Sequence, residues 1–301
     1  MRVLVIRLGA FGDVLHAMPA ATALAREGMD VTWIVDRKWA PLLTACPVRT
    51  VAFDRRDFGD VRRVVAELRA ARFAVAYDLQ GLIKSAVLGW LRGAPRRVGF
   101  VSSYLRERLA AWFYTERVNP RGTHVVEHEL SLVGLFGQAS VGLSGKEFPL
   151  PAGEAVDGLP TGPFVLASDR AGWRAKEWPA ENYAALAERL PVPLVLNRRE
   201  WSLPQLIFAT RKATAVLGLD SGPVHLAAAL GKPGVALFGP TSPERNGPYG
   251  GSLTVLRAPD AETSYKRTQE IPASMRALSV DAVFEALERC LDTSSRNPTP
   301  I

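Results

Sequence analysis

The sequence predicts an α/β protein built from two doubly wound domains. Short apolar runs alternate with helix-like patterns from residue 3 to residue 100, which is typical of parallel strands with helices on both faces. The alternation breaks over residues 146–163, a stretch with four prolines, and resumes at residue 164. We therefore expect a first domain at 1–150, a linker at 151–163, a second domain at 164–285, and a helix end and flexible tail at 286–301.

Each element follows from a local pattern. Runs rich in valine, isoleucine and leucine predict the strands of the first domain, at 3–7, 30–36, 49–54, 74–80 and 96–100. Amphipathic stretches predict the helices between them, at 13–28, 60–73 and 81–93. In the second domain the same patterns predict strands at 164–169, 192–197, 215–220 and 234–239, and helices at 179–190, 223–231 and 280–291. The last ten residues, 292–301, are expected to be disordered.

Composition is that of a soluble globular protein. The 301 residues are 48% apolar and 22% charged, and no apolar run reaches the roughly 18 to 20 residues of a transmembrane helix. The start of the chain does not fit a signal peptide, because Gly9, Gly12 and Asp13 interrupt the apolar run. Cys46 and Cys290 predict neither a disulfide framework nor a metal cluster, and we expect a cytoplasmic protein.

The charge of the chain suits an anionic partner. The formal net charge is +7 and the sequence pI is near 9.7, which fits nucleic acid, an anionic membrane or a phosphorylated substrate. An arginine-rich composition by itself explains the charge equally well. Nucleic acid is the poorest of the three partners, because no recognition motif is present and aromatic residues are not interleaved with the basic ones.

The segment 218–250, GLDSGPVHLAAALGKPGVALFGPTSPERNGPYG, carries the strongest chemical signal. A predicted strand ends at Asp220, Ser221 and Gly222 form a tight turn, and a helix opens with a proline. The amides at such a helix start attract anions, and the missing side chain of Gly222 lets a phosphate approach the backbone. His225, one turn inside the helix, could donate to the same anion. This pattern predicts a phosphate site, and the alternative is an ordinary strand-to-helix turn.

The same segment resembles the donor-binding signature of glycosyltransferase family 9, the bacterial ADP-heptose:lipopolysaccharide heptosyltransferases. RLGAFGDVLHAMPA, at 7–20, is similar to the glycine loop at the start of that family. Four further stretches resemble, in the expected order, the heptosyltransferase I type that adds the first heptose: DLQGLIKSA (78–86), RERLAAWFY (106–114), HVVE (124–127) and KEWPAENY (176–183).

The resemblance implies a GT-B fold, in which two Rossmann-like domains face each other across a cleft. The first domain would take a lipid-linked acceptor and the second a nucleotide sugar. The implied reaction is an inverting, metal-independent transfer of L-glycero-D-manno-heptose from ADP-heptose to a Kdo residue of the lipopolysaccharide inner core. The chain has no acidic DxD motif, which agrees with metal independence, and we expect no cofactor besides the ADP-sugar substrate.

The resemblance also implies where the protein works. The acceptor is an anionic, lipid-linked sugar, so we expect a peripheral protein on the inner face of the cytoplasmic membrane, attached rather than inserted. We expect this protein to be a monomer.

Asp13 has two competing interpretations. Aspartate is among the best helix N-caps, and a cap would hold the carboxylate rigidly. An acceptor hydroxyl that attacks an anomeric carbon needs a base to take its proton, and the resemblance aligns Asp13 with the family's proposed base. We interpret Asp13 as both. By the same resemblance Lys176 would neutralise the departing diphosphate, the alternative being a surface lysine.

The resemblance further implies two sets of ligand contacts. The donor or phosphate contacts are Ser168, Asp169, Asp220, Ser221, Gly222, His225 and Thr241. The acceptor contacts, which meet carboxylates and phosphates, are Gly9, Gly12, Arg62, Arg63, Gln80, Lys84, Arg106 and His124. A solvated helix face explains any single arginine of the basic helix equally well.

The stretch HVVEH, at 124–128, also fits the inverted zinc-protease pattern H-x-x-E-H. Two histidines four apart on a helix can share a zinc ion. Zinc is the weaker alternative, because the chain is doubly wound and carries the other motifs. The preferred interpretation is a partly buried helix on which His124 or Glu127 lines the cleft.

The chain departs from the family between the predicted strands 192–197 and 215–220, which are only 17 residues apart. The family's ribose-binding acid has no counterpart, since Glu200 is nearby but unaligned. Two alternatives stay open: a GT-B glycosyltransferase with another nucleotide sugar or acceptor, and a non-catalytic GT-B remnant with a damaged nucleotide site. The shortening also predicts an exposed strand edge in the second sheet.

Overall fold

The computed structural model describes residues 1–54, 56–91, 94–135, 137, 148–264 and 268–296, the last four of them without side chains. The chain divides into two compact units, Met1–Pro151 and Ala152–Ile301. Each unit contains its own parallel sheet and its own hydrophobic core.

Unit 1 is a Rossmann-like domain. Its strands are β1 (Arg2–Ile6), β2 (Asp30–Asp36), β3 (Arg49–Phe53), β4 (Val75–Asp78), β5 (Arg96–Phe100) and β6 (Glu116–Val118). They form a parallel sheet in the order β3-β2-β1-β4-β5-β6. The helices are α1 (Phe11–Arg26), α2 (Phe58–Ala71), α3 (Ile83–Leu91) and α4 (Val125–Leu132), with 3-10 helices at Arg37–Leu43 and Arg108–Phe113.

The strand order of unit 1 reverses between β1 and β4. Val3 on β1 pairs with Val31 on one side and with Val75 on the other, so β1 lies in the middle of the sheet. Its apolar side chains are fully buried for that reason. The carboxyl ends of β1 and β4 form the topological switch point, at which sheets of this kind bind ligands.

Unit 2 repeats the architecture with a smaller sheet. Its strands are β7 (Val165–Ala167), β8 (Leu194–Leu196), β9 (Ala215–Leu219), β10 (Gly234–Phe238) and β11 (Leu253–Arg257), in the parallel order β11-β10-β9-β7-β8. The helices are α5 (Ala180–Arg189), α6 (Leu203–Lys212), α7 (Gly222–Ala229), α8 (Pro243–Asn246), α9 (Ala273–Arg276) and α10 (Val280–Arg296), with a 3-10 helix at Arg174–Lys176. Here the order reverses between β7 and β9.

The predicted fold class is confirmed, since both units are doubly wound α/β domains. The strands β6 and β11, which both lie at sheet edges, were not predicted from the sequence. Most of their side chains are exposed or half-buried, so they lack the apolar run that marks a central strand.

Most helix ends differ from prediction by one or two residues, and two of the differences are informative. The helix α1 begins at Phe11, so Gly12 is a helical residue rather than part of a glycine loop. The helix α10 continues to Arg296, past the expected end at residue 291. The remainder of the predicted tail, 297–301, lies outside the described residues.

The predicted linker packs on unit 2. The backbone N–H of Glu154 donates to the carbonyl of Pro204 at 3.1 Å, and Val156 and Leu159 contact the core beneath. Gly153 has a φ of +86°, and a Cβ there would lie 2.5 Å from the Pro204 oxygen, so this turn requires glycine.

The exposed strand edge that the shortened segment predicts is present. The strand β8 has three residues and lies at the edge of its sheet, where it pairs with β7. Leu196 on this strand is 41% exposed. Among the described residues, no helix is both long and apolar enough to span a bilayer.

Candidate functional site

The first candidate site lies in unit 1, at the switch point between β1 and β4. Gln80 follows β4, and its Oε1 accepts hydrogen bonds from the backbone N–H groups of Leu8 (3.0 Å) and Gly9 (3.3 Å). The turn that carries Gln80 is organised by the buried carboxylate of Asp78. That carboxylate accepts hydrogen bonds from Gln80 N, Gly81 N, Ser85 Oγ and the Tyr114 hydroxyl. The loop after β1 is therefore held rigidly against the loop after β4.

A cavity of about 200 Å³ opens beside this contact. Three predicted acceptor residues line it, Gly9, Gln80 and Lys84, together with Lys38 and Trp39. Gly9 is required there, because a Cβ would lie 2.7 Å from Nε1 of Trp39. The structure thus brings together residues that are up to 75 positions apart in the sequence.

Asp13 supports the start of α1, but from a different position than predicted. Ala10 is the N-cap, and Oδ2 of Asp13 accepts a hydrogen bond from the Ala10 N–H at 2.8 Å. An acid at the third helical position is the reciprocal half of a capping box. Oδ1 lies 3.3 Å from Nη2 of Arg7, and the side chain is 44% exposed. The carboxylate is therefore oriented by two contacts and still open to a ligand.

A buried charge cluster lies next to Asp13, and sequence analysis missed it. Nη2 of Arg7 lies 3.3 Å from Asp13 and 3.3 Å from Oε1 of Glu129, while Nη1 donates to the carbonyl of Leu79. Glu129, on α4, is 1% exposed, and neither of its oxygens accepts a hydrogen bond within the described chain. Burial raises the pKa of Glu129 to about 8, since desolvation outweighs the attraction of Arg7 and the charge of Asp13 repels. Near neutral pH the charge of Arg7 therefore acts mainly on Asp13.

We expect Glu129→Gln to flatten the pH dependence of stability. The folded-state pKa of about 8 lies above the ordinary value of 4.5, so the folded protein keeps a proton that the unfolded chain releases. Stability of the wild type should therefore fall as pH rises from about 4.5 to about 8. Thermal melts across this range measure the slope, with Glu27→Gln, an exposed residue, as control. An unchanged slope in Glu129→Gln would show that this carboxyl is already ionised at neutral pH.

The predicted acceptor arginines divide into two kinds. Arg62 and Arg106 are exposed, as is Lys84. Arg63 instead uses all three guanidinium nitrogens within unit 1, bonding to the Asp60 and Glu67 carboxylates and the Ala52 carbonyl. These bonds fasten α2 to β3, and the acceptor contact of Arg63 stays a prediction.

His124 is a capping residue. Its Nδ1 accepts a hydrogen bond from the Val126 N–H at 3.2 Å, and the Glu127 carboxylate accepts one from the His124 N–H at 3.0 Å. The His124 ring is buried and packs edge-on against His16, with ring centroids 5.2 Å apart. His124 therefore starts α4, and its role in lining a cleft stays a prediction.

The zinc alternative for HVVEH is weakened by the second histidine. Nδ1 of His128 is hydrogen-bonded to the Tyr104 hydroxyl at 2.7 Å, and Nε2 to the Gly122 carbonyl at 3.1 Å. Both ring nitrogens are thus engaged by protein atoms. Among the described residues, no group of three or more His, Cys, Asp or Glu side chains is arranged to hold a metal ion.

The second candidate site lies in unit 2, at the switch point between β7 and β9. Asp220 follows β9 directly and is buried. Its Oδ2 accepts a hydrogen bond from Oγ1 of Thr241 at 2.6 Å and is ion-paired with the ammonium group of Lys176. Nε2 of His225 lies 3.7 Å from Oδ1. Three residues predicted for catalysis or the donor therefore converge on the carboxylate of a fourth.

This carboxylate is held in its charged form. Burial opposes ionisation, but the interaction with His225 and the charge of Lys176 outweigh it and lower the pKa of Asp220 to about 2. Lys176 is 13% exposed, and its ammonium group lies 4.2 Å from the ring centroid of Trp173. A carboxylate repels phosphate, so we interpret the ion pair of Asp220 as a contact that positions Lys176. The donor contact of Asp220 itself stays a prediction.

The start of α7 adds to the positive potential at this site. Ser221 is the N-cap, and its hydroxyl donates back to the Leu219 carbonyl at 3.3 Å instead of capping the helix. Gly222 is the first helical residue. The ammonium group of Lys176 also lies 3.4 Å from the carbonyl oxygen of Asp220, immediately before this helix. A helix N-terminus next to a fixed lysine suits a phosphate group.

The last two donor candidates differ in access. The Ser168 side chain is buried, and its backbone carbonyl accepts a hydrogen bond from the Tyr183 hydroxyl at 3.2 Å. The donor contact of its hydroxyl stays a prediction. Asp169 lines two cavities along the edge strand β8, of about 830 and 820 Å³. Arg170 and Arg199 line both as well. The volumes fit a nucleotide-sized ligand, and sequence analysis did not predict these two arginines.

One Rossmann-like domain carries an oriented carboxylate that is open to a ligand, and the other carries a positively charged site for an anion. This combination defines a GT-B glycosyltransferase. The chain belongs to glycosyltransferase family 9, the heptosyltransferase family, whose model matches residues 61–192 and 200–275. The predicted enzyme class is thereby confirmed.

Individual relatives agree with this assignment. The chain is 30% identical to lipopolysaccharide heptosyltransferase 1 of Pseudomonas aeruginosa, over 85% of this chain and 83% of the relative. It is 26% identical to lipopolysaccharide heptosyltransferase 2 of Salmonella typhimurium, over 85% and 88%. The solved structure of E. coli heptosyltransferase WaaC with ADP superposes with a TM-score of 0.76 at 23% identity, covering 96% of this chain and 100% of that one. This last likeness shows the fold.

Proposed function

We propose that the protein transfers L-glycero-D-manno-heptose from ADP-heptose to a Kdo residue of the lipopolysaccharide inner core, with inversion and without a metal ion. The observation that carries the proposal is the buried cluster of Lys176, Asp220 and Thr241 at the start of α7. The names of the relatives support heptose as the sugar, and the ADP in the WaaC structure supports the nucleotide.

The donor is bound by unit 2. The diphosphate meets the first turn of α7, and the ammonium group of Lys176 lies against the leaving oxygen. Negative charge grows on the diphosphate as the bond to the sugar breaks, so the attraction of Lys176 strengthens in the transition state. The ion pair with Asp220 holds Lys176 in position beside that oxygen. These fixed positive groups supply the stabilisation that a metal ion provides in other phosphate chemistry.

The acceptor is bound by unit 1. The hydroxyl of the acceptor sugar donates its proton to Asp13 while it attacks the anomeric carbon, and this direct displacement inverts the configuration. Arg7 and the Ala10 N–H hold the carboxylate in place. Gly9, Gln80 and Lys84 line the neighbouring cavity, where Lys84 meets the acceptor's anionic groups. Arg62 and Arg106 add to that charge from exposed positions.

The acceptor determines where the protein works. Because the acceptor is anionic and anchored by lipid, we assign the protein to the cytoplasm, peripheral on the inner face of the cytoplasmic membrane, as a monomer. No nucleic acid takes part.

A donor screen tests the proposal. Purified protein is given ADP-heptose or another nucleotide sugar together with a purified Kdo-lipid A acceptor. Release of the nucleoside diphosphate is followed with and without EDTA. We expect ADP release with ADP-heptose, unchanged by EDTA, and calorimetric binding of ADP alone. If another nucleotide is preferred, the cavities beside β8 that Arg170 and Arg199 line would be the candidate position for the residues that select it. If the protein shows no binding and no turnover with any donor, it is a non-catalytic remnant.

A further inference from the structure

Exposed apolar side chains are concentrated on one part of unit 1. Nine large apolar side chains are exposed among the described residues, and five of these lie in two short segments, 83–91 and 108–113. Trp112 is 79% exposed and Trp90 is 52% exposed. The other three are Ile83, Leu91 and Leu109. Such a concentration on a soluble domain marks a contact surface.

The helix α3 explains why the surface is apolar. One face of α3, with Ala86, Leu88 and Gly89, is buried in unit 1. The opposite face carries Ile83, Trp90 and Leu91, where a helix at the surface of a globular domain normally carries polar residues. The solvent-facing side of α3 is therefore built for an apolar environment.

The second segment is fastened to α3. The backbone N–H of Ile83 donates to the Glu107 carboxylate at 2.7 Å, and the rings of Trp90 and Phe113 contact each other with centroids 6.2 Å apart. The 3-10 helix Arg108–Phe113 buries Ala110 and Ala111, which turns Trp112 outward. The two segments thus form one surface, here called the α3 surface.

Basic residues accompany the apolar ones. Lys84, Arg106 and Arg108 are exposed within or beside the two segments. Glu107 is the only acid in residues 81–91 and 105–113, and its carboxylate is bonded to the start of α3. Tryptophan, leucine and isoleucine ringed by lysine and arginine are the composition of interfacial membrane-binding segments.

We propose that the α3 surface docks on an anionic phospholipid bilayer, with Trp90 and Trp112 in the headgroup region. The charge of the surface selects this occupant over an apolar protein partner, because anionic headgroups complement the three cations. Lys84 belongs both to α3 and to the cavity beside Gly9, so docking brings that cavity to the bilayer. The proposal rests on the peripheral location proposed above and names the surface responsible for it.

Vesicle partitioning tests the proposal without donor or acceptor. Sedimentation of the full chain with phosphatidylethanolamine–phosphatidylglycerol vesicles, and with phosphatidylcholine vesicles, gives partition coefficients. We expect binding to the anionic vesicles only. Trp90→Ser and Trp112→Ser should each lower the coefficient about tenfold, and Arg108→Gln about fivefold. Phe58→Ser is the matched control, since Phe58 is an exposed aromatic residue of unit 1 outside the α3 surface, and it should leave the coefficient unchanged.

A second measurement tests directly whether the tryptophans enter the bilayer. Vesicles brominated high on the acyl chains should quench wild-type tryptophan fluorescence, and the double variant Trp90→Ser, Trp112→Ser should lose this quenching. Unchanged partitioning of the double variant would overturn the proposal, as would equal binding to phosphatidylcholine. If the wild type forms a dimer and binds no lipid, and the double variant is a monomer, the α3 surface is assigned to self-association instead. Turnover of a water-soluble acceptor analogue does not depend on lipid binding. Failure of the docking proposal is therefore distinguishable from failure of the proposed reaction.

Discussion

Asp13→Asn is expected to lower the turnover number by about 10²- to 10⁴-fold, the usual contribution of a general base. Asparagine cannot take the proton of the acceptor hydroxyl at neutral pH. Its Oδ1 can still accept the hydrogen bond from the Ala10 N–H, so α1 should begin at the same residue. Steady-state turnover with ADP-heptose and the acceptor glycolipid measures the effect. The melting temperature and the affinity for ADP should stay close to those of the wild type.

The matched control for this prediction is Asp30→Asn. Asp30 is also a carboxylate of unit 1 paired with an arginine, Arg2 at 3.2 Å, but it begins β2 and so lies at the opposite end of the sheet from the loop after β1. We expect this variant to keep full activity. Full activity of Asp13→Asn would remove Asp13 from the mechanism and leave it as a capping residue only.

Lys176→Met is expected to lower kcat/KM by about 10²- to 10³-fold, comparable to the loss of one donor that stabilises transition-state charge. The diphosphate would lose the positive group nearest its leaving oxygen. Part of the loss should also be visible in the ground state, as weaker calorimetric binding of ADP. Lys212→Met is the control, because Lys212 is a lysine of unit 2 that lies over the ring of Phe208, and it should bind ADP normally.

The same variant should change the response to acid. The pKa of Asp220 is about 2 in the folded protein against an ordinary 3.8, so its charge stabilises the fold above about pH 4 and this contribution is lost as pH falls toward 2. Without Lys176 the pKa of Asp220 rises, and melting temperatures should begin to fall at a higher pH. An identical acid profile for Lys176→Met and wild type would contradict the ion pair. Unchanged kcat/KM would contradict the catalytic role.

The central strands and the main motifs were readable from sequence for a simple reason. Buried parallel strands such as β1 and β9 are continuous apolar runs, and parallel sheets gather the residues that follow their strands at one edge. This is why the turn after β9 could be predicted as a ligand site, while the contacts of Gly9 were implied by the family resemblance. The edge strands β6 and β11 escaped prediction, because half-exposed strands do not need an apolar run.

Side-chain roles were harder to predict than positions. Arg63 has the charge that an acceptor ligand needs, but it is used by Asp60 and Glu67 on its own helix. His124 lies in a matched motif, but it caps α4 with its ring buried. Residue type identifies what a side chain can bind, and only the neighbours decide what it does bind.

The sequence by itself determined the two doubly wound domains, the family, and the two strand ends at which chemistry is expected. Tertiary structure alone decided the electrostatics. Glu129 lies 122 positions from Arg7, and the burial that raises its pKa comes from the packing of α4. Asp220 is also buried, but its pKa falls because His225 and Lys176 converge on it. Charge in a protein interior depends on desolvation and on distances between groups, and neither is a property of the local sequence.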